Sequence, residues 1–284
     1  MRPEDRHLIC LDIDNTLMTF GLRDSDGNYV PGVIDTDLAA AIRALHNEGH
    51  EVVLSTGRAV ESTLDAIEAL RIQPSWGVAA NGAVTLKRDP LATRAYRRHR
   101  VEAFDATELL TRIRTHLLSA RYGVETVDGE FLYTERIPSG TIAVRQREVA
   151  FEDMLGLQVS RVLVMSEDHG LDQFFEISDA LGLQHVSYSV GLTTWFDIAP
   201  GGVSKASALE VIRDHLDIHP SNVFAAGDGD NDVLMLRWAG QLGDSVAMGD
   251  APAHVKEAAN RTTGSIHENG LLTALQDKFP HLLG

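Results

Sequence analysis

The sequence predicts an α/β fold, a parallel sheet core with helices on both faces, interrupted by an inserted α+β domain. Two observations carry that expectation. Short apolar runs alternate with amphipathic helical stretches through residue 85, and the same alternation resumes near residue 195 after a strand-rich interval.

The first run, residues 8–13, begins Leu8-Ile9-Cys10-Leu11 and reads as a buried strand. A helical period follows over 38–47, with Asp35, Thr36 or Asp37 available as its N-cap and Gly49 as its terminator. Residues 51–55 form the next apolar run, 60–70 the next helical stretch, and 76–80 a third strand. Strand, helix, strand, helix, strand is the grammar of a parallel sheet with helical crossovers. From 86 to 194 the pattern changes. Strands are expected at 124–127, 131–134, 141–144 and 159–165, helices at 106–118 and 171–181, and a hairpin turn at Asp128-Gly129. The first grammar then returns as a helix over 206–215, a strand over 223–226, a helix over 233–238 and a strand over 246–248. Residues 1–85 and 195–284 are thus expected to form one core and 86–194 an insertion, with Pro200-Gly201-Gly202 as the turn at the return crossing.

Composition narrows the functions open to such a chain. A length of 284 residues favours about two domains and a large core. Acidic residues outnumber basic ones 41 to 25, a formal charge of -16, which argues against nucleic acid or an anionic membrane as partner. The one cysteine, Cys10, sits in an apolar run and reads as a core thiol, so no disulfide framework exists. The first residues are polar and no apolar stretch is long enough to span a bilayer, so a cytoplasmic location is expected. The 12 histidines show no His-x-His or His-Glu-x-x-His spacing, which argues against zinc.

Four short motifs follow strand ends: Asp12-Ile13-Asp14-Asn15-Thr16, Ser55-Thr56-Gly57-Arg58, Asn81-Gly82 and Gly227-Asp228-Gly229-Asp230-Asn231-Asp232. In an open parallel sheet those ends border one crevice, so distant residues meet there. Asp12 and Asp14, two apart, leave the strand on one side. Their mutual repulsion calls for a shared proton or a hard cation between them. Lys205, just after the Pro-Gly-Gly turn, opens a helix from which it can reach the same crevice. Two segments begin like calcium loops, at Asp24 and Asp228. Both fail, because Tyr29 and Val233 stand where glycine is required, and the second has Ala239 in place of the closing acid. Asp26-Gly27 reads instead as a hairpin turn. The basic run 94–100 reads as a solvated face, with the attraction of an anionic substrate as its alternative.

Taken in order, Asp12-x-Asp14-x-Thr16, Ser55-Thr56-Gly57-Arg58, Asn81-Gly82-Ala83, Lys205, Gly227-Asp228-x-x-Asn231-Asp232 and Val246-Ala247-Met248-Gly249 resemble the haloacid dehalogenase superfamily, within it the Cof-type group with a type IIB cap. Asn15 stands where that family usually has glycine, and Asp250 where asparagine often follows the Met-Gly pair. The resemblance implies a Rossmann-like core and a Mg2+-dependent hydrolase of phosphoric monoesters acting on a small phosphorylated metabolite, with a sugar phosphate expected. It implies Asp12 as nucleophile and Asp14 as general acid and base, with Thr56 and Lys205 also catalytic. Asp12, the Asp14 backbone carbonyl, Asp228 and Asp232 are the implied metal ligands, and Asn81 touches substrate. Asn231 is expected to orient Lys205 or the phosphate. Arg58 is expected either to reach the substrate or to pair with an acid at the surface. Two other functions share these residues, a phosphomutase using the same aspartyl-phosphate and a non-catalytic phosphate or metal sensor.

Overall fold

The computed structural model describes residues 2–19, 21–23, 29–30, 32–137, 145–166, 176–177, 187–188 and 194–283. The strand expected at 141–144, the turn at Asp26-Gly27 and all but two residues of the helix expected at 171–181 lie outside them. In chain order the first elements are β1 (Leu8–Leu11), β2 (Leu22–Arg23), β3 (Tyr29–Val30), α1 (Thr36–Glu48), β4 (Glu51–Leu54), α2 (Val60–Leu70), β5 (Trp76–Ala79), β6 (Val84–Arg88) and β7 (Tyr96–Val101). Then come β8 (Phe104–Asp105), α3 (Thr107–His116), β9 (Arg121–Thr126), β10 (Phe131–Tyr133), β11 (Gln146–Glu148), β12 (Gln158–Ser166), β13 (Ser187–Tyr188) and β14 (Thr194–Ile198). The last are α4 (Lys205–His215), β15 (Val223–Gly227), α5 (Val233–Gly240), β16 (Asp244–Ala247), α6 (Ala253–Lys256), β17 (Arg261–Thr262), α7 (Gly270–Lys278) and α8 (Pro280–Leu283).

Five parallel strands form the core sheet in the order β17-β16-β15-β1-β4. Strands β15, β1 and β4 are buried on both faces, which is why their sequences run largely apolar without alternation. Ile9, Leu11, Val52, Leu54 and Phe224 face α1, α2 and α7, whereas Leu8, Cys10, Val53 and Ala225 face α4, α5 and α6. The two-residue period of the strands thus sorts adjacent apolar residues onto two helical layers. The Cys10 thiol is fully enclosed, and burial raises its pKa far above the ordinary thiol range, so it is an inert core residue. Helix α1 starts where an Asp35 carboxylate oxygen accepts the N–H groups of Asp37 and Leu38 at 2.9 and 3.0 Å. It stops at Gly49, whose φ of 106° only glycine adopts readily. The chain first builds from β1 toward β4 and later from β1 toward β15, so the strand order reverses beside β1.

The third strand follows the helix α2 and lies parallel to the second, as expected, but it also carries a further ladder. β5 meets the parallel sheet through one bridge, Ser55 to Val78, and its ladder is antiparallel with β6, which in turn pairs with β7. After β5 the chain doubles back through a left-handed turn at Ala80 and Asn81, with φ of 49° and 55°.

A second sheet, in the order β11-β10-β9-β12-β14-β13 with β8 beside β12, carries α3 on one face. The strand β14 belongs to this sheet, and the chain returns to the core through a turn in which the Val203 N–H donates to Pro200 O at 3.0 Å. Phe131, Leu163 and Met165 of this sheet close over Ala59, just before α2. The basic run is charge-compensated: Arg94 meets Asp65 and Glu68, Arg97 meets Asp89, Arg98 meets Glu125 and Arg100 meets Glu102. Those acids neutralise the field that would draw an anion. Among the described residues no helix is long and apolar enough to cross a membrane.

At the start of β1 the His7 N–H donates to His50 Nδ1 at 3.1 Å, which requires that nitrogen to be unprotonated. Burial, then the neighbouring His7, His281 and Arg6, hold the His50 imidazole down at about 4 against an ordinary 6.5. The unfolded chain therefore binds the extra proton between these values, and stability is lost as pH falls through that window. Urea denaturation midpoints are expected to drop from pH 6.5 to pH 4, less steeply in His50→Gln than in the parent. Identical slopes would remove the imidazole as the source.

Candidate active site

Asp12 is the first residue past β1, anchored by its N–H donating to Ala226 O of the neighbouring strand at 3.0 Å. Lys205 is the first residue of α4 and is fully buried at 0% exposure. Its Nζ donates to Asp12 Oδ1 at 2.5 Å and to Asp232 Oδ1 at 2.7 Å. The other Asp232 oxygen accepts the backbone N–H groups of Asp228 and Gly229 at 3.1 and 3.0 Å, which shapes the loop after β15. Thr16 Oγ1 donates to Asp228 Oδ1 at 3.2 Å and so orients that carboxylate. Carboxylate oxygens of Asp12, Asp228 and Asp232 all lie within 4.8 Å of one another.

Two glycines permit this approach. A Cβ on Gly227 would stand 2.4 Å from Asp232 Cγ, so any larger residue pushes the acid away. Gly82 has φ of 102°, and a Cβ there would stand 2.2 Å from the carbonyl oxygen of Ser204, the residue that caps the lysine's helix.

The electrostatics are unbalanced. Burial raises the Asp12 pKa well above the usual carboxylate range, as does the charge of Asp232, while Lys205 opposes the rise. Asp228 is pushed up to about 7, first by burial and then by Asp232. For Lys205, burial alone would lower the pKa, but Asp12 and Asp232 overcome it and hold the ammonium charged. With all three carboxylates ionised, the single ammonium leaves two negative charges in excess, which adds to burial in raising the proton affinities of Asp12 and Asp228. A divalent cation with hard oxygen ligands matches both that charge and that donor set, so the residues present fit Mg2+.

Around this cluster the remaining motif residues meet. Thr56 is buried, accepts the Arg58 N–H on Oγ1 at 3.1 Å and accepts the Asn81 N–H on its carbonyl at 3.0 Å, which joins the second and third strand ends. Arg58 grips both oxygens of Asp14, Nε to Oδ2 at 2.9 Å and Nη2 to Oδ1 at 2.6 Å. Of the two readings open for Arg58, pairing with an acid is what the structure holds, but the acid is a site residue. Asn15 takes φ of 52°, the left-handed region, and its N–H donates to Met18 O at 2.8 Å. Asparagine tolerates that conformation better than most residues, so the turn forms without a glycine.

Of the two readings for Asn231, the structure departs from the one that pairs it with Lys205. Asn231 Nδ2 donates to Asn81 Oδ1 at 2.9 Å, and the acid that holds Lys205 is Asp232. Two contributors carried no assigned role in the sequence. Thr16 stands inside the first motif, and Asp197, in β14, accepts from Asn81 Nδ2 at 3.1 Å. The only sequence signal for Asp197 is an acid inside the run Trp195-Phe196-Asp197-Ile198.

Lys205→Met is expected to lower stability by about 3–5 kcal/mol, because it strands buried carboxylates. Gly82→Ala is expected to cost about 1–3 kcal/mol through the strained φ. Denaturant unfolding checks both, and a neutral Lys205→Met would show that the ammonium does not hold the acids.

Residues 9–275 match the sequence profile of the haloacid dehalogenase-like hydrolases. Over 284 residues the chain is 27% identical to the 5-amino-6-(5-phospho-D-ribitylamino)uracil phosphatase YitU of Bacillus subtilis, covering 96% of this chain and 97% of that one. It is also 27% identical over 296 residues to the phosphatase YwpJ of the same organism, covering 93% and 96% of the two chains. Among solved structures, BT1666 of Bacteroides thetaiotaomicron superposes with a TM-score of 0.70 at 22% identity, over 98% of this chain and 97% of that one. The subclass IIB sugar phosphatase BT4131 gives 0.73 at 19% identity, over 96% and 99%. These two likenesses are of fold.

Proposed function

The chain belongs to the haloacid dehalogenase-like hydrolase family, and we propose that it is a Mg2+-dependent phosphatase that hydrolyses a small phosphorylated metabolite, a sugar phosphate, in the cytoplasm. The observation that carries this reading is the buried Lys205 ammonium bonded to Asp12 beside the three-carboxylate cluster, at the reversal of strand order.

Asp12, Asp228 and Asp232, together with the Asp14 backbone carbonyl that the family resemblance adds, would hold Mg2+, which would supply positive charge against the phosphoryl oxygens. Asp12 attacks phosphorus and forms an aspartyl-phosphate while the bond from phosphorus to the leaving oxygen breaks. Asp14 gives that oxygen a proton, then takes one from the water that attacks the phosphorus of the aspartyl-phosphate, freeing inorganic phosphate and regenerating Asp12. Lys205 steadies the negative charge shared by nucleophile and phosphoryl group, and the Thr56 hydroxyl donates to a phosphoryl oxygen. Arg58 holds the Asp14 carboxylate in one orientation through two bonds. Asn81 stands at the junction with β14, where its amide bonds Asp197 and Asn231.

The insertion expected over 86–194, whose second sheet comprises β8 to β14 and so extends to Ile198, acts as a cap in this reading. Its contact with Ala59 lies one residue from Arg58, so its docking excludes water beside the general acid and limits the substrate to small molecules.

A panel of phosphorylated metabolites assayed with and without Mg2+ tests the proposal. Release of inorganic phosphate that requires Mg2+ is expected, and Asp12→Asn is expected to keep the fold and lose turnover by about 10³-fold or more. Isomerisation of a sugar phosphate without phosphate release would make the enzyme a mutase. Ordinary activity in Asp12→Asn would remove the nucleophile assignment.

A further inference from the structure

A buried ion pair in the second sheet is connected to the acidic loop of the core. Arg161 on β12 donates Nε and Nη2 to the two oxygens of Asp197 on β14, each at 2.7 Å, and both side chains are buried. Burying such a pair recovers little stability over an apolar pair of the same volume, so its energetic contribution to the sheet is small. What it does supply is a carboxylate held in one orientation. Asp197 Oδ2 also accepts from Asn81 Nδ2 at 3.1 Å, across the boundary between sheet and core turn. The opposite end of the same amide, Asn81 Oδ1, accepts from Asn231 Nδ2 at 2.9 Å, inside the loop that carries Asp228 and Asp232.

The order of donors and acceptors in this chain is determined. A carboxylate only accepts, so the Asn81 amide must turn its NH2 toward Asp197, and its carbonyl is thereby presented to Asn231. Reversing the amide would set oxygen against oxygen at one end and NH2 against NH2 at the other. The backbone beneath is costly as well: Ala80 and Asn81 both have positive φ, at 49° and 55°, a strain that persists where the surroundings impose it.

We propose that Asp197 and Arg161 are positioning residues: through Asn81 and Asn231 they tie the inserted sheet to the 228–232 loop, so that docking of the insertion and ordering of the acidic cluster are one event. The cluster is then correctly arranged only when the insertion is seated. This linkage is one of geometry and holds whatever reaction the site performs.

Native-state hydrogen exchange on the full chain tests it at the amides of Asp228 and Gly229, both of which donate to Asp232. Asp197→Ala is expected to speed their exchange about ten-fold while the amide of Cys10, inside β1, exchanges as in the parent. If that variant does not fold, Asp197→Leu combined with Arg161→Met removes both charges and is expected to do the same. Combining Asn231→Ala with Asp197→Ala is expected to add no further loss of protection, since both cut one chain of bonds. Unchanged protection at Asp228 and Gly229, equal acceleration at Cys10, or losses that multiply would each overturn the linkage. A parent without turnover on any phosphate ester would refute the phosphatase reading and leave these exchange ratios as they are.

Discussion

A fully buried lysine ammonium, held between carboxylates from two different loops, is the interaction on which the rest of this structure depends. Taking that ammonium out of water costs several kcal/mol, and only close, well-aligned carboxylates return it. Asp12 follows β1, Asp232 belongs to the loop after β15, and Lys205 opens α4, so the pairing locks three segments at one point. The local oddities of the chain serve this approach. Gly227 leaves room for Asp232, Gly82 lets the core turn press against the cap of α4, and Thr16 turns Asp228 toward the others.

The same geometry creates a surplus of negative charge, and that surplus is what gives the site its chemical direction. A protein that needed only a structural ion pair would match one acid to one base. Here a third carboxylate is brought within reach and its proton affinity is raised by burial and by Asp232. Placing that arrangement where the strand order reverses puts it outside the carboxyl ends of the strands, where open parallel sheets bind ligands, with the second sheet closing over Ala59 beside it.

Much of this was legible before folding because the informative residues lie close to strand ends. Asp12, Thr56, Asn81 and Asp228 each follow an apolar run, and a parallel sheet brings all such ends to one edge. Helix limits were legible for a similar local reason: Asp35 and Gly49 bound α1 through bonds spanning a few residues. Pairings between long side chains were not. Arg58 and Asp14 are 44 positions apart, and nothing in either neighbourhood states that the guanidinium turns to that acid rather than to solvent or substrate. The basic run from Arg94 was ambiguous for the same reason, since its compensating acids come from α2, the second sheet and the flanks of β7.

The sequence by itself determined the residue types, the alternation that makes an interrupted parallel sheet, and the presence of acids and a lysine at the ends of its elements. Those properties are local, written in runs of a few residues. Only the tertiary structure decided which oxygen faces which nitrogen: that Asn231 bonds Asn81 and not Lys205, that Asp197 joins the site, and that β5 turns back into an antiparallel ladder. Hydrogen bonds form over about 3 Å, whereas the partners here are separated by up to 212 residues of chain, as between Thr16 and Asp228. Their meeting is a consequence of packing the whole core, which no local pattern encodes.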